Sequence, residues 1–222
     1  NHFFTRQLGA WQRPLNASPT SFLSPADGTL TQLGYFSNQN KLIQAKNHSY
    51  SVSQILGDQT KWSDLFKQGI YSTVYLAPHN YHRVHMPITG KLTCMIHIPG
   101  TLASVSLKNT SEQHDLYVKN ERVACIFETQ HGSMAVILIG ATLVGSIETV
   151  WHGLIRPKSI LGKINCIEYN AEKQITLKKG EMLGWFHYGS TVVTVINNDG
   201  NTIPKPENNL QIKYGEAIAD LT

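Results

Sequence analysis

Charge is scarce in this chain: Asp, Glu, Lys and Arg make up 15% of its 222 residues, against 41% hydrophobic residues. That balance excludes a disordered segment and predicts a folded domain with a weakly charged surface. Clusters of Lys and Arg are missing too. The net charge of +4 favours an anionic partner, but no basic stripe tracks a phosphate backbone, so nucleic acid is not expected as a partner. Cysteine is limited to Cys94, Cys125 and Cys166, far apart and with no Cys-x-x-Cys pair. This argues for free thiols in a reducing compartment, with Cys94 and Cys125 packed in apolar runs. No apolar run is long enough to cross a bilayer. The longest, Met134 to Ile147, is broken by Gly140 and Gly145 and reads as buried strands. No signal peptide is visible, and the first residue is Asn1 rather than methionine, so an N-terminal segment is expected to have been removed or left out.

Stretches with the length and period of a helix are also few. Helical patches are expected only around Ser53 to Leu56 and Trp62 to Lys67. Strand composition dominates: Leu33 to Phe36, Gly69 to Ala77, Lys91 to Ile98, Ser104 to Leu107, Arg122 to Glu128, Met134 to Thr149 and Lys163 to Tyr169. The fold expected is mainly β (β-rich α+β), with packed antiparallel sheets and a few short helices in one domain over residues 1–222. Residues 1–24 carry Phe3, Phe4, Leu8 and Trp11 among Arg6 and Arg13. Such a segment either lies at a lipid headgroup surface, as a membrane-proximal element, or docks on its own domain.

Two stretches carry chemistry. In the first, the strand ending Trp185-Phe186-His187-Tyr188 meets Gly189-Ser190-Thr191 before a second run, Val192 to Ile196. Gly189 has no side chain to keep the Ser190 hydroxyl from its carbonyl carbon, so Ser190 is placed to attack its own chain. The tripeptide alone reads first as a bulge or hairpin turn, and Thr191 as a residue that simply suits a strand. In the second, His79, His82 and His85 recur at three-residue spacing between Pro78 and Pro87. On a turn or two of helix, His82 and His85 would point to one side. Polar side chains on a solvent-facing loop, a zinc site short of a third ligand, and proton handling all fit that pattern.

Tyr75-Leu76-Ala77-Pro78-His79-Asn80-Tyr81-His82-Arg83-Val84-His85-Met86-Pro87 resembles the corresponding segment of the phosphatidylserine decarboxylase family. So do Pro25-Ala26-Asp27-Gly28, Leu42-Ile43-Gln44-Ala45-Lys46, Asn120-Glu121-Arg122 and Val144-Gly145-Ser146-Ile147. Gly189-Ser190-Thr191 is similar to the end of the family's Leu-Gly-Ser-Thr cleavage motif, with Tyr188 in the place of leucine. The resemblance implies a self-processing carboxy-lyase. Ser190 converts the Gly189–Ser190 amide to an ester, elimination leaves dehydroalanine, and hydrolysis gives a pyruvoyl group and ammonia. The cut yields a larger β chain ending at Gly189 and a small α chain headed by the pyruvoyl. Asp27 and His85 align with the residues that join Ser190 in a triad, His85 as base and Asp27 orienting it. His82 aligns with a residue that assists at the pyruvoyl or contacts the substrate.

The same resemblance implies the reaction. The pyruvoyl forms a Schiff base with the amine of phosphatidylserine and acts as electron sink while carbon dioxide leaves, giving phosphatidylethanolamine after proton donation by His85. No metal is implied. A lipid substrate implies work at a membrane surface, here a peripheral one on the cytoplasmic side of the cell membrane, and related enzymes suggest a homodimer. Two alternatives stand beside it: a zinc-dependent hydrolase using His82 and His85, and a non-catalytic lipid-binding relative.

Overall fold

The computed structural model describes residues 6–37, 41–45, 48–141, 146–155, 162–187, 190–198 and 209–221. Its strands begin with β1 (Ser21–Leu23), β2 (Gly28–Phe36), β3 (Lys41–Ala45), β4 (His48–Ser51), β5 (Gly69–Leu76) and β6 (Arg83–His85). They continue with β7 (Gly90–Ile98), β8 (Arg122–Thr129), β9 (Gly132–Ile139), β10 (Ile147–Thr149), β11 (Gly153–Ile155) and β12 (Asn165–Glu168). The last are β13 (Thr176–Leu177), β14 (Met182–Phe186), β15 (Ser190–Asn197), β16 (Leu210–Ile212) and β17 (Ala217–Asp220). Four short helices interrupt them: α1 (Val52–Ile55), α2 (Thr60–Ser63), α3 (Leu107–Glu112) and α4 (Leu116–Lys119).

One antiparallel sheet of nine strands runs β12-β7-β8-β9-β15-β5-β2-β16, with β13 also on β7. A smaller sheet, β11-β10-β14-β6, packs against one of its faces. Alternation explains both faces. Met134, Val136 and Leu138 of β9 and Val192 and Ile196 of β15 point one way, into a core shared with Val84, Leu183 and Phe186 of the smaller sheet and with Met86 just after β6. Ala135, Ile137, Ile139, Val193 and Val195 point the other way, against α1, α4 and the β3–β4 hairpin. Strands buried on both faces need continuous apolar sequence, which is why this region held the longest apolar run.

The helices form where capping outweighs strand propensity. Ser51 accepts from the Gln54 N–H at 3.0 Å while the Gln54 side chain accepts from the Ser51 N–H at 2.8 Å, and this reciprocal cap starts α1. The expected strand at Ser104 to Leu107 is absent for the same kind of reason: Ser106 Oγ accepts from the Asn109 N–H and opens α3 at Leu107. The second helical patch starts at Thr60, ahead of the Trp62 expected from the sequence.

One connection matters most for function. Strands β14 and β15 are consecutive in the chain yet belong to different sheets, so the chain leaves one layer at Phe186 and enters the other at Ser190.

Candidate active site

Ser190 is the first residue of β15 and is fully buried. Its side chain shares a face with Val192 and Ile196 and so looks toward the smaller sheet; Thr191 turns to the opposite face with Val193 and Val195. Among the described residues the Ser190 hydroxyl has no hydrogen-bond partner. Leaving a buried hydroxyl so costs about 1–3 kcal/mol, and the Thr191 hydroxyl on the opposite face is in the same state. Tyr188 and Gly189, the other side of the expected cleavage bond, lie outside the described residues.

Sheet register carries Asp27 to the same end. Ser190 pairs with Leu76 of β5, while β2 on the far side of β5 pairs Thr29 with Tyr75. Strands β15 and β2 therefore start side by side, two strand spacings or about 10 Å apart. Gly28 is required at this start because a Cβ would sit 2.2 Å from the Tyr75 carbonyl oxygen. Asp27, just before it, is buried and accepts from Arg13 Nε at 3.1 and 3.2 Å, from Arg13 Nη2, and from the Tyr214 N–H at 3.0 Å.

His85 comes alongside through its backbone, whose N–H donates to the Pro25 carbonyl at 2.8 Å. Its Nδ1 lies 2.9 Å from the Gly180 carbonyl, which can only accept, so Nδ1 carries the proton and Nε2 is the acceptor. Nε2 faces the Tyr81 hydroxyl at 3.4 Å. The ring of Tyr214 stacks on the imidazole at 3.8 Å with 4° between planes. Burial pushes the His85 pKa down to about 4, so the ring is neutral at pH 7. His82 is fully buried and likewise lowered by burial to about 4; its Nδ1 donates to the Asn80 carbonyl at 2.9 Å. The His82 carbonyl accepts from the Phe186 N–H at 3.0 Å, which places this histidine beside the end of β14, four residues before Ser190.

The structure thus brings Asp27 to the backbone N–H of Tyr214 and His85 to its ring, with His82 beside the end of β14. Asp27 and His85 share no hydrogen bond; each is held by other partners. The helical turn expected across the histidines is not formed. Arg83 to His85 pairs with β14 in extended conformation, so His82 and His85, three apart, do not share a side. Among the described residues no three His, Cys, Asp or Glu side chains gather as a metal site.

The sequence reading missed Arg13 as the partner of Asp27. It also missed Tyr214, where Lys213-Tyr214-Gly215-Glu216 shows only a glycine turn. A cavity of about 270 Å³ opens beside Asp27, lined also by Arg6, Arg13, Tyr81 and Lys213. Residues ahead of it dock on the domain, with Leu15 against Gly180 and Gly215, and leave Trp11 84% exposed. Phe3 and Phe4 lie outside the described residues.

The phosphatidylserine decarboxylase family model matches residues 1–220. A phosphatidylserine decarboxylase proenzyme from Coxiella burnetii (strain Dugway 5J108-111) is 44% identical over 100% of this chain and 78% of its own length. The chain belongs to the phosphatidylserine decarboxylase family. Other proteins named phosphatidylserine decarboxylase proenzyme agree: one from Alkalilimnicola ehrlichii is 46% identical over 89% of this chain and 68% of its own, and one from Azotobacter vinelandii 45% over 90% and 69%. Within the family, the name proenzyme describes a chain made as a precursor, which directs attention to the buried serine.

Proposed function

We propose that this protein is a phosphatidylserine decarboxylase that matures by cutting itself between Gly189 and Ser190. Membership of the family makes it a carboxy-lyase. The observation that carries the maturation step is the Ser190 hydroxyl, fully buried and without a hydrogen-bond partner among the described residues, at the crossing between two sheets. Ser190 Oγ attacks the Gly189 carbonyl carbon, and the peptide nitrogen leaves carbon for a proton, giving an ester. Loss of the Ser190 α-proton then expels the Gly189 carboxylate and leaves dehydroalanine, which water converts to a pyruvoyl group with release of ammonia. A serine enclosed in this way suits the conversion, because the new ketone is held where bulk water does not dilute its reactivity.

His85 is the proposed base. Its Nδ1 is fixed as the donor to Gly180, so Nε2, which faces the Tyr81 hydroxyl, is the accepting nitrogen, and neutrality at pH 7 keeps it unprotonated. Asp27 is the proposed orienting charge, acting through the shared contacts around Tyr214. His82, beside the end of β14, is proposed to assist near the reacting carbon. The pyruvoyl ketone supplies an electrophile for the substrate amine and an electron sink for the carbon that loses carbon dioxide. Around it the chain's own residues orient the headgroup and return a proton, and the neighbouring cavity, lined by Arg6, Arg13 and Lys213 together with Asp27 and Glu216, offers both signs of charge to a headgroup that carries an amine, a carboxylate and a phosphate. The product is phosphatidylethanolamine.

The substrate lives in a bilayer, and among the described residues no helix is long and apolar enough to cross one. Trp11, exposed close to Arg13, supports peripheral docking, proposed at the cytoplasmic face of the cell membrane.

Intact mass and a denaturing gel test the reading. The expected result is two fragments parted at Gly189–Ser190, the smaller blocked at its N-terminus, and an uncut, inactive Ser190→Ala variant. An unbroken chain that still releases carbon dioxide overturns it.

A further inference from the structure

If the chain is cut before Ser190, Tyr214 belongs to the small fragment, while Asp27, Tyr81 and His85 belong to the large one. Tyr214 nevertheless touches both of the proposed triad's other members. Its backbone N–H donates to Asp27 Oδ1 at 3.0 Å, and its ring lies on the His85 imidazole at 3.8 Å and 4°. Tyr81 flanks it at 5.6 Å and 27°, with its hydroxyl facing His85 Nε2.

The turn presenting Tyr214 is held on several sides. Glu216 accepts from the Lys213 N–H at 3.0 Å, and Gly215 takes φ +90°, a conformation that favours glycine. Gly215 donates to the Ser24 carbonyl at 3.2 Å, and the Ser24 N–H donates to the Glu216 carbonyl at 2.8 Å. Strands β16 and β17 anchor the two ends of the turn on β2 and β1. Tyr214 is thus a fixed plate, 7% exposed, and its ring has little freedom to move away.

We propose that Tyr214 is a positioning residue through which the small fragment holds the His85 ring and the Asp27 carboxylate in mutual register. The proposal rests on the reading of His85 and Asp27 as partners in self-cleavage. A parallel ring at contact distance resists tilting of the imidazole, and the Gly180 bond resists rotation in its plane. Together they leave Nε2 one direction to face. The ring also covers His85 from water. The charged and titratable groups around the imidazole are Asp27, with Arg13 behind it, and Arg83, Tyr81 and Tyr214. Losing the tyrosine ring leaves those charges in place and admits solvent, so the His85 pKa rises from about 4 toward its ordinary value.

The test is the first-order rate of chain scission in the full-length precursor, followed by denaturing gel across pH. Tyr214→Leu keeps apolar volume and loses the flat ring. It is expected to slow scission roughly three- to tenfold, the range an aromatic pair is worth, and to move the acid limb of the profile upward. Tyr214→Phe restores the ring without the hydroxyl and is expected to recover both rate and limb. A second readout needs no activity: in the Ser190→Ala precursor, the NMR signals of the His85 ring shift upfield under Tyr214 and relax to ordinary values in the Leu variant. If Tyr214→Leu cuts at the wild-type rate with an unmoved acid limb, or the His85 signals do not respond, the proposal is overturned while self-cleavage stands. If the wild-type chain does not cut at all, both fall together.

Discussion

Arg13 grips the Asp27 carboxylate with two guanidinium nitrogens, Nε touching both oxygens and Nη2 bound to Oδ2. Their side chains are 19% and 8% exposed, so water screens the pair little. The segment that delivers Arg13 is itself anchored, by Leu15 against Gly180 and by the Asn16 N–H to the Gly215 carbonyl at 2.9 Å. Arg13→Met leaves Asp27 as a buried carboxylate with the Tyr214 N–H as its remaining partner. In the Ser190→Ala precursor, where scission does not complicate unfolding, the expected loss is about 1–3 kcal/mol by urea denaturation. A loss inside the ~0–1 kcal/mol range of exposed pairs would mean that solvent already reaches the carboxylate.

Acid should weaken the precursor before it protonates most carboxylates. His82 and His85 fall to about 4 in the folded protein, against 6.5 for an ordinary histidine. Between those values the unfolded chain binds protons that the folded chain refuses, so stability drops as pH falls from 6.5 to about 4 and is unaffected by these groups above 6.5. Each histidine accounts for on the order of a few kcal/mol across that window. Urea midpoints of Ser190→Ala from pH 8 to 4 should show the decline, and replacing both histidines by glutamine should flatten it. A midpoint constant across the window contradicts the buried, neutral state of the rings.

Much of this was legible in sequence wherever a local rule decided the outcome. The β-rich run Val192 to Ile196 marks a strand, and Gly189-Ser190 marks the break before it. Relations between distant residues were less legible. Nothing near Arg13 signals Asp27, and nothing near Tyr214 signals His85, because those pairings depend on strand register across the sheet. Arg122 makes the point differently. In sequence Asn120-Glu121-Arg122 shows only a turn leading into a strand, yet the buried Arg122 guanidinium donates to the Gln54, Ile55, Val118 and Asn120 carbonyls, tying the ends of α1 and α4 to the sheet. Local capping likewise overrode composition at Ser106. Ser104 to Leu107 contains the residues of a strand, but a serine that can close a first helical turn decides the local geometry.

The Cys94 and Cys166 sulfurs lie 2.9 Å apart, a contact across β7 and β12 that their separation in sequence conceals. Cys166 is exposed and Cys94 buried, and burial pushes the Cys94 thiol up, so Cys166 should react first. With oxidised glutathione, the Cys166 thiolate attacks the small disulfide and releases one glutathione. Cys94, losing its proton to solvent, then displaces the second from Cys166. The expected protein is lighter by two hydrogens, with Cys94 and Cys166 peptides linked in a digest and Cys125 still reduced. A lasting glutathione adduct on Cys166, or no reaction, shows that the two sulfurs do not reach each other in solution.

Cutting at Ser190 should not release the small fragment. Strand β15 lies between β5 and β9 within the larger sheet, and Val192, Val193, Val195 and Ile196 are fully buried on its two faces. Strand β16 pairs with β2, and β17 with β1, so residues 190–221 are tied to the larger fragment at three separate places. Fully burying each large aliphatic side chain contributes roughly 1.5–3 kcal/mol, and four such residues in β15 alone outweigh the loss of one covalent link that constrained the chain. A tag on the large fragment alone should therefore retain the small one through native chromatography, and the two should part only in denaturant. Loss of the small fragment on simple dilution would mean that β15 is not an interior strand, and the proposed site, which would take Ser190 from one fragment and His85 from the other, would have no basis.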